Sequence, residues 1–293
     1  MSNFDLSDLT KVFCRRTAFF GDVGVYNSPM TNPQQNPDIT ASRKEKFQQD
    51  GFLVLPGQID SRDCEALRRV AEKHLRLGLA PIEYEVDVQY PGSPSSAQSA
   101  GGMTPRRLLH AYSRDVLFRQ VAASAGITSV LESLFGSNDI CLSQSHHNCV
   151  MTKHPGHSSA TLWHQDNRYW QFAEPDLISV WLALGKETRH NGCLRVIPGT
   201  HRQSIEQRRL DEALFLRPEL EENKRLIRQS QRVALEKGDL LFFHSRLFHA
   251  AGRNLTDSIK FSLVFTYHKA SNQPVAGTRS ARYPSPLLRE AAG

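Results

Sequence analysis

Ile259-Lys260-Phe261-Ser262-Leu263-Val264-Phe265-Thr266-Tyr267 reads with a period of two. Ile259, Phe261, Leu263, Phe265 and Tyr267 take one face; Lys260, Ser262 and Thr266 take the other. Such alternation fits a β-strand with one face in an apolar core. The same texture extends back to about Asp139 in short β-type runs split by turns. Residues 177–184 (LISVWLAL), 193–197, 233–235 and 240–243 are the clearest. Several strands at this spacing indicate a sandwich or barrel.

The first half of the chain reads differently. Residues 1–41 are polar and turn-rich, with Asn32-Pro33 and Asn36-Pro37, and suggest an irregular arm. A short helix follows Ser42 and stops at Gly51, and Phe52-Leu53-Val54-Leu55 reads as a buried strand. Ser61 is placed to cap a longer helix in which Leu67, Val70, Ala71, His74 and Leu75 recur at three and four, with Gly78 ending it. Helical signals return at 113–125 and 128–135. Residues 91–105 (PGSPSSAQSAGGMTP) form a Gly/Ser/Pro loop, either a lid or a tolerated surface insertion. Residues 201–232 read as a charged helical insertion, and no internal repeat is visible. The expected organisation is an arm over 1–41, then one domain over 42–293, mainly β with flanking helices.

Composition narrows the function classes. A hydrophobic fraction of 39% with 23% charged residues is ordinary for a globular protein. No run approaches the roughly 18 apolar residues that cross a bilayer. The N-terminal sequence does not read as a secretory signal, so the expected compartment is the cytoplasm. Cys14, Cys64, Cys141, Cys149 and Cys193 are odd in number and scattered, which argues against a disulfide framework or a structural zinc site. The net charge of +6 comes without a dense Lys/Arg block interleaved with aromatics; pairs such as Arg68-Arg69 and Arg208-Arg209 sit among acids. A small anionic substrate explains the mild basic excess as well as a nucleic acid does.

The first chemical signal is Trp163-His164-Gln165-Asp166. Side chains two apart on a strand share a face, so His164 and Asp166 can converge on one cation. A third ligand must come from elsewhere, and the stretch 238–249 (GDLLFFHSRLFH) offers His244 and His249. Two imidazoles and one carboxylate on one face of an octahedron suit non-haem Fe(II), because three positions stay open. His-x-Asp alone is weak. Here it is followed by a β-run, by Asn191-Gly192-Cys193-Leu194-Arg195-Val196-Ile197-Pro198-Gly199-Thr200-His201, by a Gly-Asp turn and by His249.

That ordered set resembles the phytanoyl-CoA dioxygenase-like family, and Lys46–Leu55 (KFQQDGFLVL) looks like the family's first helix and strand. The resemblance covers about residues 43–270. It implies a double-stranded β-helix (jelly roll, cupin-like), an Fe(II) centre, and O₂-dependent oxidation of 2-oxoglutarate to succinate and CO₂. Within it the distal ligand falls on His249, followed by Gly252 and Asn254, while His244 packs nearby. His201 and the pair His146-His147 become structural or cavity-lining residues. Relatives usually carry an arginine about eleven residues after the distal histidine, where it grips the far carboxylate in a bidentate fork. Lys260 stands there instead, offering a point charge, with Arg246 and Lys153 as substitutes. Ala251 is another departure, at a position where relatives often carry a hydroxyl. Arg107 matches a basic residue that reaches the co-substrate, Trp181 an aromatic beside it, and Gln165 lies between the first two ligands. Asp166 fills the position a halide would take in halogenating relatives, which favours hydroxylation.

The substrate is less legible. Asn148, Asn167, Arg168 and Tyr169 lie around the metal motif, and Arg279 and Arg282 near the C-terminus. If an arginine among them faces the cavity, a carboxylate, phosphonate or phosphate on the substrate follows. Three further readings stand at this point: a jelly-roll metal- or ligand-binding module without oxidation, an oxygenase acting on nucleic acid, and use of the same oxidant for desaturation or cyclisation.

Overall fold

The computed structural model describes residues 39–291 apart from 89 and 91, so all but the end of the N-terminal arm lies outside the described residues. In chain order, α1 (Ala41–Asp50) leads into β1 (Phe52–Leu55) and α2 (Ser61–Arg76) into β2 (Ile82–Tyr84) and β3 (Pro105–Leu109). Three helices follow: α3 (Ala111–Arg114), α4 (Val116–Ala122) and α5 (Ala125–Phe135). Then come β4 (Ile140–Leu142), β5 (Asn148–Lys153), β6 (Thr161–His164), β7 (Ile178–Ala183) and β8 (Leu194–Val196). The chain continues through α6 (Glu221–Arg228), β9 (Gln231–Val233), β10 (Leu240–His244), β11 (His249–Ala251), β12 (Lys260–Lys269) and α7 (Leu288–Ala291).

The strands form two antiparallel sheets, the double-stranded β-helix that the resemblance implies. The larger runs β1-β10-β7-β12-β5-β3-β2, with β4 also paired to β12; the smaller runs β6-β11-β8-β9. The alternation read in β12 sorts its side chains. Phe261, Leu263, Phe265 and Tyr267 point outward into a core built with Leu67, Phe118, Val121 and Leu131 of the helices. Burying each such side chain contributes about 2 kcal/mol. The inward face carries Val264, which packs with Trp181, Leu241 and Phe243 against Leu194, Val196 and Ala251 of the smaller sheet.

Two turns that position the site are written in the sequence. At the Gly-Asp turn, Gly238 has φ +92°, and Asp239 accepts hydrogen bonds from the backbone N–H of Gly57 (2.8 Å) and of Glu236 (2.8 Å). This ties the start of β10 to the end of β1. At Asn191-Gly192, Thr188 and Asn191 form a capping box and Gly192 takes φ +76° to enter β8.

Three expectations shift. The cap of α2 is Asp60, whose carboxylate accepts from Arg62 N (2.7 Å), one residue before Ser61. The helix read over 113–125 is broken at extended Asp115, whose side chain caps α4. Within 201–232 only α6 is α-helical; Asn223 pins the remainder irregularly by donating to the carbonyls of Arg209 (2.8 Å) and Arg217 (2.9 Å). Phe248 and Ile197 meet Leu216 and Leu226 of this segment, which therefore covers the outer face of the smaller sheet. The Gly/Ser/Pro stretch lies between β2 and β3 and turns on itself through Ser99 N to the Ser96 carbonyl (3.2 Å) and Gly102 N to the Ser99 carbonyl (2.9 Å).

Candidate metal centre and active site

His164 ends β6, and His249 begins β11 directly opposite it in the antiparallel ladder. Their ring centroids are 4.2 Å apart. Asp166 is not on the strand, as the two-residue spacing suggested; it opens a 3-10 turn, Asp166–Tyr169, that swings its carboxylate back toward the two rings. Asp166 Oδ1 lies 3.6 Å from His164 Nε2 and 3.5 Å from His249 Nε2. The three donor atoms fall within 4.8 Å of one another, and all three residues are buried.

The hydrogen bonding fixes which ring nitrogen faces the centre. His164 Nδ1 donates to the Leu162 carbonyl (2.8 Å) and His249 Nδ1 to the Leu247 carbonyl (3.0 Å), since a carbonyl can only accept. With each Nδ1 bonded to a carbonyl, each Nε2 faces the carboxylate. Burial, with His249 alongside, pushes His164 down to about 3. Burial would raise the Asp166 carboxyl, but His147, His249 and His164 prevail and hold it well below the ordinary carboxylate range. Two imidazole nitrogens and a carboxylate oxygen thus converge, an arrangement suited to a cation. Nitrogen and oxygen donors without thiolate fit Fe(II) and leave coordination positions free. On the far side, Ser179 Oγ donates to Asp166 Oδ2 (3.4 Å), and His147 Nδ1 lies 3.4 Å from the same oxygen.

Two cavities open from this centre. The inner one, between the sheets, is lined by His164 and His249, by Trp181 and Ala251, and by the cations Arg106, Arg107, Lys153 and Lys260. Lys260 faces inward as the alternation predicts, but its ammonium is held by Glu187 Oε2 at 2.7 Å and sits 5.0 Å above the Trp181 ring. Arg107 pairs with Glu83 (2.9 Å); burial would weaken its guanidinium, but the Glu83 carboxylate raises its pKa. Gln165 lines neither cavity, because its amide donates to the Arg246 carbonyl. Arg246 in turn reaches out to the Gln203 carbonyl (3.0 Å) and is absent from both walls.

The outer cavity, about 530 Å³, is walled by Tyr90, His146, His147, Trp170 and Phe215, with Arg168, Tyr169 and Arg279 also contributing. Arg168 lies 4.0 Å over Phe215 and donates to the Ala213 carbonyl (3.0 Å). Asn148 and Asn167 are elsewhere: Asn148 accepts from Tyr112 N (2.7 Å), and the Asn167 backbone donates to Ser245 O (3.0 Å). Neither they nor Arg282 line the cavity, and none of residues 92–104 does. His146 stacks on Trp170 at 4.6 Å, whereas His201 pairs with His244 at 5.3 Å away from the site. His244, the competing ligand, spends Nδ1 on the Arg246 N–H (3.0 Å).

Sequence reasoning missed Glu187, Ser179 and Phe215. Glu187 follows the LISVWLAL run, and nothing local distinguishes a buried acid there from a surface one. Ser179 carries a signal in retrospect, since it shares a strand face with Trp181.

Comparison with known proteins agrees with this geometry. The phytanoyl-CoA dioxygenase (PhyH) family profile matches residues 47–262. Human peroxisomal phytanoyl-CoA dioxygenase is 27% identical over 265 residues, covering 85% of this chain and 75% of the relative. The fold is shared with EctD from S. alaskensis bound to 2-oxoglutarate and 5-hydroxyectoine (TM-score 0.67, 20% identity, 90% of this chain and 92% of that one). It is also shared with SnoK, a non-heme alpha ketoglutarate dependent carbocyclase from nogalamycin biosynthesis (TM-score 0.64, 18% identity, 87% and 95%). The family uses Fe(II), 2-oxoglutarate and O₂. With its ordered motifs, its two-sheet core and a convergent His-Asp-His centre, the chain belongs to the phytanoyl-CoA dioxygenase (PhyH) family.

Proposed function

We propose that this Fe(II)/2-oxoglutarate-dependent dioxygenase hydroxylates a small polar or anionic metabolite, releasing succinate and CO₂. The observation that carries the reading is the convergence of His164 Nε2, His249 Nε2 and Asp166 Oδ1 at the junction of a cation-lined inner cavity and an aromatic outer one. These three atoms would hold the metal. When bound, ferrous iron supplies the oxidising chemistry that couples decarboxylation of the keto acid to oxygen transfer into a substrate C–H bond.

The chain's own residues do the rest. The Leu162 and Leu247 carbonyls fix both imidazoles in the metal-binding tautomer. Trp181, Leu194 and Phe243 make the inner cavity apolar between the metal ligands and the cations, which keeps water from the keto acid. Tyr90, Trp170 and Phe215 offer flat apolar walls to the substrate, and Arg168 and Arg279 offer charge for a carboxylate, phosphonate or phosphate. The buried free thiols Cys64, Cys149 and Cys193 support a reducing compartment such as the cytoplasm. No helix among the described residues is long and apolar enough to cross a membrane.

The test is succinate release screened over small acids, amines, phosphonates and acyl thioesters, followed by Arg168→Ala with the best substrate. A rise in KM of roughly tenfold or more with 2-oxoglutarate binding unchanged supports an anionic substrate group at Arg168. The Lys260–Glu187 pair favours the competing non-oxidising module, because the expected anchor is neutralised. Anaerobic addition of Fe(II) and 2-oxoglutarate decides between them: a flat visible spectrum, without the charge-transfer band of the chelate, refutes the oxygenase.

A further inference from the structure

Of the four cations on the inner wall, three already have a carboxylate. Arg107 is paired with Glu83 (2.9 Å) and Lys260 with Glu187 (2.7 Å). Arg106 bonds both oxygens of Glu85 (3.2 Å each) and also Ser159 Oγ (2.7 Å) and Thr161 Oγ1 (3.0 Å). Lys153 differs. Its ammonium donates to the Ser159 carbonyl (3.0 Å), and among the described residues no carboxylate lies within ion-pair distance of it. A buried ammonium has three N–H donors, so two remain for a ligand. Lys153 and Lys260 face each other across β5 and β12 in register, and both line the cavity that also touches His164 and His249.

We propose that Lys153, rather than Lys260, anchors the distal carboxylate of 2-oxoglutarate, an assignment that rests on the co-substrate reading above. Charge bookkeeping on the wall supports it: four cations against Glu83, Glu85 and Glu187 leave one positive charge over. A dicarboxylate with one end at the metal brings one negative charge there. Burial, together with Arg106 and Lys260, pushes the Lys153 ammonium well below its ordinary pKa, and an anion beside it restores the charged form. The arginine-to-lysine departure at Lys260 is then explained. Lysine with Glu187 forms a self-contained pair, and the anchoring charge moves one strand over to β5.

The experiment compares 2-oxoglutarate with 2-oxopentanoate, which has the same chain length but ends in a methyl group. Both are titrated by calorimetry into Mn(II)-loaded protein. Wild type should prefer 2-oxoglutarate, and Lys153→Met should compress that preference roughly 30-fold, as expected for loss of a hydrogen bond to a charged group. Affinity for 2-oxopentanoate should stay within about threefold, a control for a folded site, and Lys153→Arg should restore most of the preference. The double variant Lys260→Met/Glu187→Gln should keep the preference within about threefold, since it removes a neutral pair. A Lys153→Met protein that keeps the full preference overturns the assignment, as does a double variant that loses it. Failure of wild type to bind either keto acid overturns the co-substrate reading and this assignment together.

Discussion

Glu187 anchors a buried polar cluster at the back of the inner cavity. Its carboxylate is wholly buried and takes three donors: Lys260 Nζ at 2.7 Å, Ser262 Oγ at 2.6 Å and Trp181 Nε1 at 2.9 Å. Its backbone also pairs with Leu235 in both directions. Glu187→Gln keeps the shape and one acceptor oxygen but leaves the Lys260 ammonium buried against an amide. Breaking one side of a buried pair costs about 3–5 kcal/mol, because the surviving charge has no water to return to. For a chain of this size 1 kcal/mol moves the unfolding temperature by roughly 2–3 °C. The metal-free, co-substrate-free variant should therefore melt about 6–15 °C below wild type by far-ultraviolet circular dichroism. Adding Lys260→Met removes the stranded charge and should recover most of the loss, to within about 1–2 kcal/mol of wild type. A single variant that falls by less than about 2 °C would refute the reasoning. So would a double variant whose loss is the sum of the two singles, because uncoupled residues behave that way.

Other outcomes follow from the same geometry. His249→Ala removes one of three ligand atoms, and affinity for Mn(II) or Co(II) should fall by more than about 100-fold in a metal titration, with the fold retained. Gly238→Ala meets two obstacles, a φ of +92° and a Cβ that would collide with the Ile59 carbonyl oxygen; a loss of about 3 kcal/mol in denaturant unfolding is expected. Burial, with His201 beside it, pushes His244 down to about 4 from 6.5. The unfolded chain therefore takes up the proton first. Stability from this residue is fully present above pH 6.5 and is lost as pH falls toward 4, with a ceiling of about 3 kcal/mol. His244→Gln should flatten the melting-temperature profile over that window, and an unchanged slope would show that His244 does not contribute to it.

The metal ligands were legible because each sits in a local pattern with a physical reason. His164 and Asp166 are two apart at the end of a strand, and His249 follows a Gly-Asp turn whose φ demands glycine. The inward orientation of Lys260 followed from strand alternation and the place of Trp181 from the family resemblance, and both line the cavity. Gln165, Asn148 and Asn167 misled because proximity in sequence to a ligand says nothing about side-chain direction. Gln165 turns to the Arg246 carbonyl, and Asn148 caps the Tyr112 N–H. The long Gly/Ser/Pro loop could be located but not interpreted, since its composition reports freedom of the backbone and not its neighbours.

By itself the sequence determined the strand alternation, the glycine turns and the His164–Asp166 pair, while the choice of His249 over His244 came from the family resemblance. The alternation, the turns and the His164–Asp166 pair depend on residues within a few positions of one another, where backbone geometry imposes a fixed period. Only the tertiary structure decided which charges cancel. Glu187 meets Lys260 from 73 residues away, Arg106 meets Glu85 from 21, and Lys153 is left with a carbonyl. Electrostatic pairing is set by distance through a dry interior, and no period along the chain encodes that distance.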